Sequence, residues 1–176
     1  MKNLSYLFIL AGILLFSACD KAEMDSALSE NTELKKANRS VNFTAHLSGS
    51  NVITLPNPTE ATGQAIFQLS QDGTSLNYKL IVANIENVTM AHIHMAPATA
   101  TGPVSVWLYP SAPPASPING PVNGILAEGT ITEANFVGPL AGKPFSALLD
   151  SIAIGKTYVN VHTTLNPGGE MRGQLK

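Results

Sequence analysis

Apolar and polar residues alternate along most of the chain after residue 40. In a β-strand successive side chains point to opposite faces, so this period of two is typical of half-buried strands. The pattern predicts eight strands, near residues 41–48, 65–69, 76–82, 88–94, 104–108, 125–131, 157–163 and 170–175. Asp72-Gly73, between the second and third of these, indicates a tight hairpin.

One segment follows the period of a helix instead. Phe145, Leu148, Leu149 and Ile152 have the i, i+3, i+4, i+7 spacing of an apolar helix face. With Pro144 suited to its first turn, the pattern predicts a short helix near residues 144–153.

Composition supports an all-β domain. The chain has 176 residues, of which only 12% are charged, and it contains 14 glycines and 12 prolines that favour many turns. Five prolines fall in Pro110–Pro121, which therefore predicts a stiff surface loop between strands. The net charge of -2 gives no basic surface for nucleic acid.

The N-terminus has the features of an export signal. Lys2 precedes the apolar run Leu4–Phe16, which is shorter than the roughly 20 residues of a membrane-spanning helix. Phe16-Ser17-Ala18-Cys19 resembles the lipobox of bacterial lipoproteins, whose cysteine is lipidated after cleavage. A secretory signal with a chance cysteine, or an uncleaved anchor, are the alternatives.

These features divide the chain into three parts. Residues 1–18 are expected to be a lipoprotein signal peptide, and residues 19–38 a flexible tether that starts at lipidated Cys19. Residues 39–176 then form the domain. We expect the protein to be anchored by lipid in the cell envelope, at the outer membrane or the surface of a bacterium.

Three of the four histidines fall in two predicted strands. His92 and His94 share one face of the fourth strand, and His162 shares a face of the seventh with Asn160. Imidazole suits copper and zinc, and Glu170 or water could complete a tetrahedral set of ligands. The fourth histidine, His46, is expected to be a surface residue.

The neighbouring polar residues leave two interpretations open. Asn160, Glu170 and Arg172 could surround a metal site, with Asn160 or Glu170 accepting a hydrogen bond from a ligating ring. Alternatively, the histidines and these residues only bind one another and the backbone, with Glu170 and Arg172 as a structural ion pair.

Several motifs together resemble the CHRD domain, named after the growth-factor antagonist chordin. The resemblance spans about Val41–Gln174 and rests on these segments: Phe43-Thr44-Ala45-His46-Leu47-Ser48-Gly49, Ala61-Thr62-Gly63, Ala91-His92-Ile93-His94, Gly102-Pro103-Val104, Tyr158-Val159-Asn160-Val161-His162-Thr163 and Pro167-Gly168-Gly169-Glu170-Met171-Arg172-Gly173-Gln174. It implies an antiparallel β-sandwich, of the immunoglobulin-like or superoxide-dismutase-like Greek-key type. It implies little about activity, because a shared fold does not carry a shared function.

The sequence favours a non-catalytic binding or adhesion module over an enzyme. It contains no phosphate-binding glycine loop and no nucleophile elbow, and no catalytic residue is assigned. The expected partners are the membrane, through the lipid, and an extracellular protein or glycan, with the domain itself a monomer. The alternative is a copper- or zinc-binding protein. Its His-x-His strand and remote histidine are similar to the copper site of copper–zinc superoxide dismutase, although that enzyme's zinc loop has no counterpart here.

Overall fold

Eight strands form one continuous antiparallel sheet in the computed structural model, which describes residues 41–176. The predicted signal peptide, Cys19 and the predicted tether therefore lie outside the described residues. The elements are β1 Asn42–Ser48, β2 Thr62–Leu69, β3 Leu76–Glu86, β4 Val88–His94, β5 Val104–Tyr109, β6 Pro121–Ile131, α1 Ser146–Ala153, β7 Tyr158–Thr163 and β8 Met171–Gln174. Single 3-10 turns occur at Gly49–Asn51, Glu133–Asn135 and Gly138–Leu140.

The order of strands in the sheet is β5-β4-β7-β8-β1-β2-β3-β6. The strands β1, β2 and β3 follow one another as a meander, because short connections favour pairing between consecutive strands. The hairpin between β2 and β3 turns at Gly73, whose φ of 72° lies in the left-handed region. In contrast, β7 lies between β4 and β8, which brings distant segments together at the middle of one half of the sheet.

The inner face of the sheet buries the apolar set that the alternation predicts. Phe67, Leu80, Ile93 and Leu108 are each at most 1% exposed. Full burial of a side chain of this size contributes about 1.5–3 kcal/mol. The hydroxyl of Tyr78 in β3 donates a hydrogen bond of 2.8 Å to the carbonyl of Leu108 in β5, so the two halves of the sheet face each other across the core. The sheet is therefore curled into a nearly closed, barrel-like shape.

The helix α1 lies against the same core. Its residues Leu148 and Ile152 are buried together with Phe145, which precedes the helix. The predicted helix and all eight predicted strands are present, and the all-β antiparallel class is confirmed. The sandwich expected from the resemblance takes the form of this single curled sheet.

Two further features bear on function. The proline-rich segment between β5 and β6 is a surface loop, in which residues 111–117 are all exposed. Within residues 41–176, no helix has both the length and the apolar character needed to cross a membrane.

Candidate metal centre

The three histidines in question lie on the outer face of the sheet, where β4 and β7 are neighbours. His92 pairs directly with Asn160 across these strands, and His94 pairs with Tyr158. Directly paired residues of antiparallel strands have Cβ atoms about 4.5–5.5 Å apart and point to the same face. The intervening residues Ile93 and Val161 point to the core and are fully buried. The alternation therefore sends the histidines away from the core.

Despite this position, the histidines are buried. His92, His94 and His162 are 2%, 7% and 6% exposed. Two loops supply this cover and bind the rings directly, since the carbonyls of Gly102 and Pro167 lie 2.9 Å from Nδ1 of His94 and of His162. The outer face of the sheet thus contains a buried polar site.

The three rings converge on one another. One ring nitrogen from each histidine lies within 4.8 Å of the others. The shortest of these approaches is 3.3 Å, between Nδ1 of His92 and Nε2 of His162. Two nitrogen ligands at 2.0–2.1 Å from a tetrahedral zinc ion are roughly 3.3 Å apart. The spacing of this pair fits two ligands of one ion, and it is also the distance of a hydrogen bond between the two rings.

The backbone fixes the tautomers of two rings. A carbonyl oxygen only accepts hydrogen bonds, so Nδ1 must donate in His94, to Gly102, and in His162, to Pro167. The lone pair of each neutral ring is then on Nε2. Hydrogen bonding of the other ring nitrogen is the usual way in which a metal-binding histidine is oriented.

Burial keeps the three rings neutral near pH 7. Burial, with smaller effects from His162 and His94, lowers the pKa of His92 to about 3. Burial also lowers the pKa of His94 to about 4, although its hydrogen bond to Gly102 acts in the opposite direction. The pKa of His162 is lowered by burial as well. Neutral imidazole is the form that binds metal.

Among residues 41–176, the buried Nε2 atoms of His92 and His94 have no hydrogen-bond partner. A buried polar atom that loses its partner costs about 1–3 kcal/mol. Coordination of an ion by Nε2 of His94 would satisfy one of these atoms.

Aromatic side chains that sequence reasoning did not assign to the site form its walls. Trp107 of β5 meets His92 edge-on with ring centroids 4.3 Å apart, and Tyr158 stacks on His94 at 4.9 Å. The guanidinium carbon of Arg172 lies 3.5 Å from the centre of the Tyr158 ring, as in a cation–π contact. The alternation could have predicted the position of Tyr158. This residue is two positions before Asn160 and therefore lies on the same face of the strand.

The predicted ion pair between Glu170 and Arg172 is wrong. The two carboxylate oxygens of Glu170 accept hydrogen bonds of 2.6 Å from the hydroxyls of Thr59 and Thr163. The guanidinium of Arg172 instead donates to the carbonyls of Pro97 and Ala100, at 2.8 and 3.0 Å. Arg172 thereby pins the loop that follows β4.

Asn160 or Glu170 was predicted to accept a hydrogen bond from a histidine ring. Backbone carbonyls accept these hydrogen bonds instead. Asn160 donates from its amide to the carbonyl of Gly168, at 3.3 Å. Glu170 is held by the two threonines and is not among the converging groups. His46 is exposed on β1, as expected.

A cavity of about 270 Å³ borders the site. His94, Gly102 and Tyr158 form one side of it, with Arg172 and residues 52–54 around them. The cavity runs beside the stacked Tyr158 and His94 rings and offers the site an approach from the surface.

Comparison with known proteins supports the resemblance of the motifs. The sequence profile of the CHRD domain matches residues 43–175, which covers the sheet, the helix and the histidine cluster. Neither the curated proteins nor the solved structures provide a match. The match covers well over half of the chain, and the protein belongs to the CHRD domain family.

Proposed function

We propose that this CHRD domain binds a transition-metal ion, copper or zinc, through His92, His94 and His162. The observation that supports this most directly is the convergence of their ring nitrogens, with 3.3 Å between the closest pair. Three neutral imidazoles in one buried site are a nitrogen ligand set that suits both ions.

The surroundings support the same function. Carbonyl acceptors already hold His94 and His162 in the orientation that a bound ion requires. Ligands that are fixed before binding lose little conformational freedom when the ion arrives. A cluster of histidines with only a structural role would gain nothing from leaving Nε2 of His94 without a partner.

The melting temperature of the full chain tests this function. Cys19→Ser should be present throughout, because Cys19 is the only thiol that could bind these ions elsewhere. An ion at ~100 times its Kd stabilises the folded state by about 2.7 kcal/mol, so copper or zinc should raise the melting temperature. His94→Ala should remove the rise, and His46→Ala, which changes an exposed histidine, should keep it. A chain that purifies without metal and melts at one temperature with either ion would exclude the function.

We also propose that the domain is displayed at the cell envelope as a non-catalytic binding module. The CHRD assignment supports a binding module, and the exposed proline-rich residues 111–117 provide a stiff surface for an extracellular protein or glycan. Replacement of these residues by a Gly/Ser loop of equal length should abolish capture of envelope material, while His94→Ala should not.

Lipid attachment at Cys19 is the expected means of display. Cys19→Ala should leave the precursor unprocessed or release the protein from membranes. Unchanged size and unchanged detergent partitioning of this variant would rule out the anchor.

A further inference from the structure

The charges around the histidine cluster bear on which ion it would bind. Each of the three ligands is an imidazole, which binds a metal in its neutral form, and within residues 41–176 no carboxylate joins the converging group. The nearby acid Glu170 is turned away, because both of its oxygens accept hydrogen bonds from threonines.

The charged side chain that contacts the wall of the cluster is instead positive. Arg172 pairs directly with Asn160, which in turn pairs with His92, so the three residues form one row across β8, β7 and β4. The guanidinium lies on the Tyr158 ring that stacks on His94. It is itself only 3% exposed and is fixed by two carbonyls. Water therefore screens its charge poorly, and the charge opposes a second positive charge nearby.

The number of ligands points the same way. Zinc takes four ligands, and in a site with three protein ligands the fourth is usually water. Within residues 41–176 the converging group holds three protein ligands and no fourth. A three-coordinate ion needs no such water.

We infer that the site selects monovalent copper over divalent ions such as zinc, an inference that rests on the metal-binding function proposed above. The free energy needed to bury an ion rises with the square of its charge, so a divalent ion costs about four times as much as a monovalent ion of similar size. Neutral ligands and a cationic neighbour offset less of that cost than carboxylate or thiolate ligands would. Monovalent copper, which is stable with three ligands, meets both conditions.

The test compares dissociation constants for Cu(I) and Zn(II) on the full chain carrying Cys19→Ser. Cu(I) is measured without oxygen, with ascorbate present, against the chelator bicinchoninate, and zinc against a chromophoric chelator. Cu(I) should bind at least about 100-fold more tightly than zinc. Binding of neither ion would reject the proposed function itself. Zinc binding as tight as that of Cu(I) would reject only the selectivity.

Charge variants separate electrostatic selection from a general preference of imidazole for copper. Asn160→Asp adds a negative charge beside His92 with almost no change of shape, although it loses the hydrogen bond to the Gly168 carbonyl, and should reduce the preference for Cu(I) at least about tenfold by favouring zinc. Arg172→Gln should act in the same direction, and Arg172→Lys, which keeps the charge, should retain the preference. Lys143→Gln removes a positive charge from an exposed position and serves as the matched control.

The two main variants also protect the test from a folding defect. If Arg172→Gln lowers the melting temperature without metal so far that it is not folded, Asn160→Asp alone decides. If Asn160→Asp leaves the ratio of the dissociation constants for zinc and Cu(I) unchanged, the inference is overturned, whatever the value of that ratio.

Discussion

Nδ1 of His92 lies 3.3 Å from Nε2 of His162, although 70 residues separate the two along the chain. The approach depends on the pairing of β4 with β7, which are not consecutive strands. Their register places Asn160 opposite His92 and His162 opposite Met90. The cluster therefore depends on the topology of the sheet. Changes in the surrounding turns should alter the positions of the histidine rings.

The stability of the metal-free protein should fall as the pH is lowered from about 6.5 towards 4. The pKa of His92 is about 3 and that of His94 about 4 in the folded state, below the ordinary value of 6.5. The unfolded chain therefore binds more protons in this range, and the free energy of unfolding decreases as the pH is lowered. Each such histidine contributes a slope of up to about 1.4 kcal/mol per pH unit.

Urea unfolding at pH 7, 6 and 5 in the presence of a chelator measures this slope. His92→Gln removes one of the responsible groups and should give a shallower dependence than the unsubstituted chain. Equal free energies of unfolding at pH 7 and pH 5 would contradict the burial of neutral histidines.

Gly169→Ala should destabilise the domain by about 2 kcal/mol or more. Gly169 has a φ of 118°, and a Cβ there would collide with the side-chain amide of Asn160. Because the same turn presents the Pro167 carbonyl to His162, the substitution should also weaken metal binding.

Gly168→Ala provides the control for this turn. A Cβ at Gly168 meets no heavy atom within 4 Å, so this neighbouring substitution should be tolerated in both thermal unfolding and metal titration. Similar losses in the two variants would show that the turn is sensitive to any side chain, and not to the backbone conformation of Gly169.

Thr163→Val should cost about 2–4 kcal/mol, although the two side chains have nearly the same shape. The Thr163 hydroxyl donates to Glu170 at 2.6 Å and accepts from the backbone N–H of Asn166 at 3.0 Å. Valine leaves a buried carboxylate oxygen and a buried N–H without these partners, and each loss is costly. Thr164→Val, at the exposed neighbouring position, should change the free energy of unfolding by less than about 0.5 kcal/mol in urea denaturation.

Leu148→Asp should cost several kcal/mol, because it places a carboxylate where α1 meets the core. Leu148 is fully buried, and an isolated charge in such a position has no compensating partner. Ser146→Asp introduces the same group at an exposed position at the start of the helix and should leave the protein folded. Circular dichroism during thermal unfolding distinguishes the two, and equal melting temperatures would show that α1 does not contribute to the core.

Alternation predicted the strands because one face of each is buried against the same core. Tyr78, Leu80 and Val82 show the pattern within β3, where every second residue from Leu76 to Val82 is buried. The common face of His92 and His94 follows from the same rule, and the two rings lie 5.4 Å apart. These are properties of single strands, which a sequence contains directly.

The partners of those side chains could not be predicted in this way. Which strand lies beside β4 is decided by the packing of the whole sheet. The acceptors for His94 and His162 are backbone carbonyls. Every residue has such a carbonyl, so the type of residue does not indicate which one will accept the hydrogen bond. Glu170 precedes β8, where the chain leaves a turn, so strand alternation did not describe its direction. Two threonine hydroxyls then bind the carboxylate that the alternation had assigned to Arg172.

The two end strands of the sheet, β5 and β6, determine whether another chain can pair with its edges. An unpaired strand edge is a template on which another chain can add its own strand. Along β5 the backbone of Phe136 and Val137 covers part of this edge, through a bridge to Val106 and a hydrogen bond of 2.9 Å to Ser105. The strand β6 starts at a proline and has two irregularities in its register with β3, both of which make an edge a poor template. Both ends of the sheet therefore disfavour the addition of a strand from a neighbouring copy.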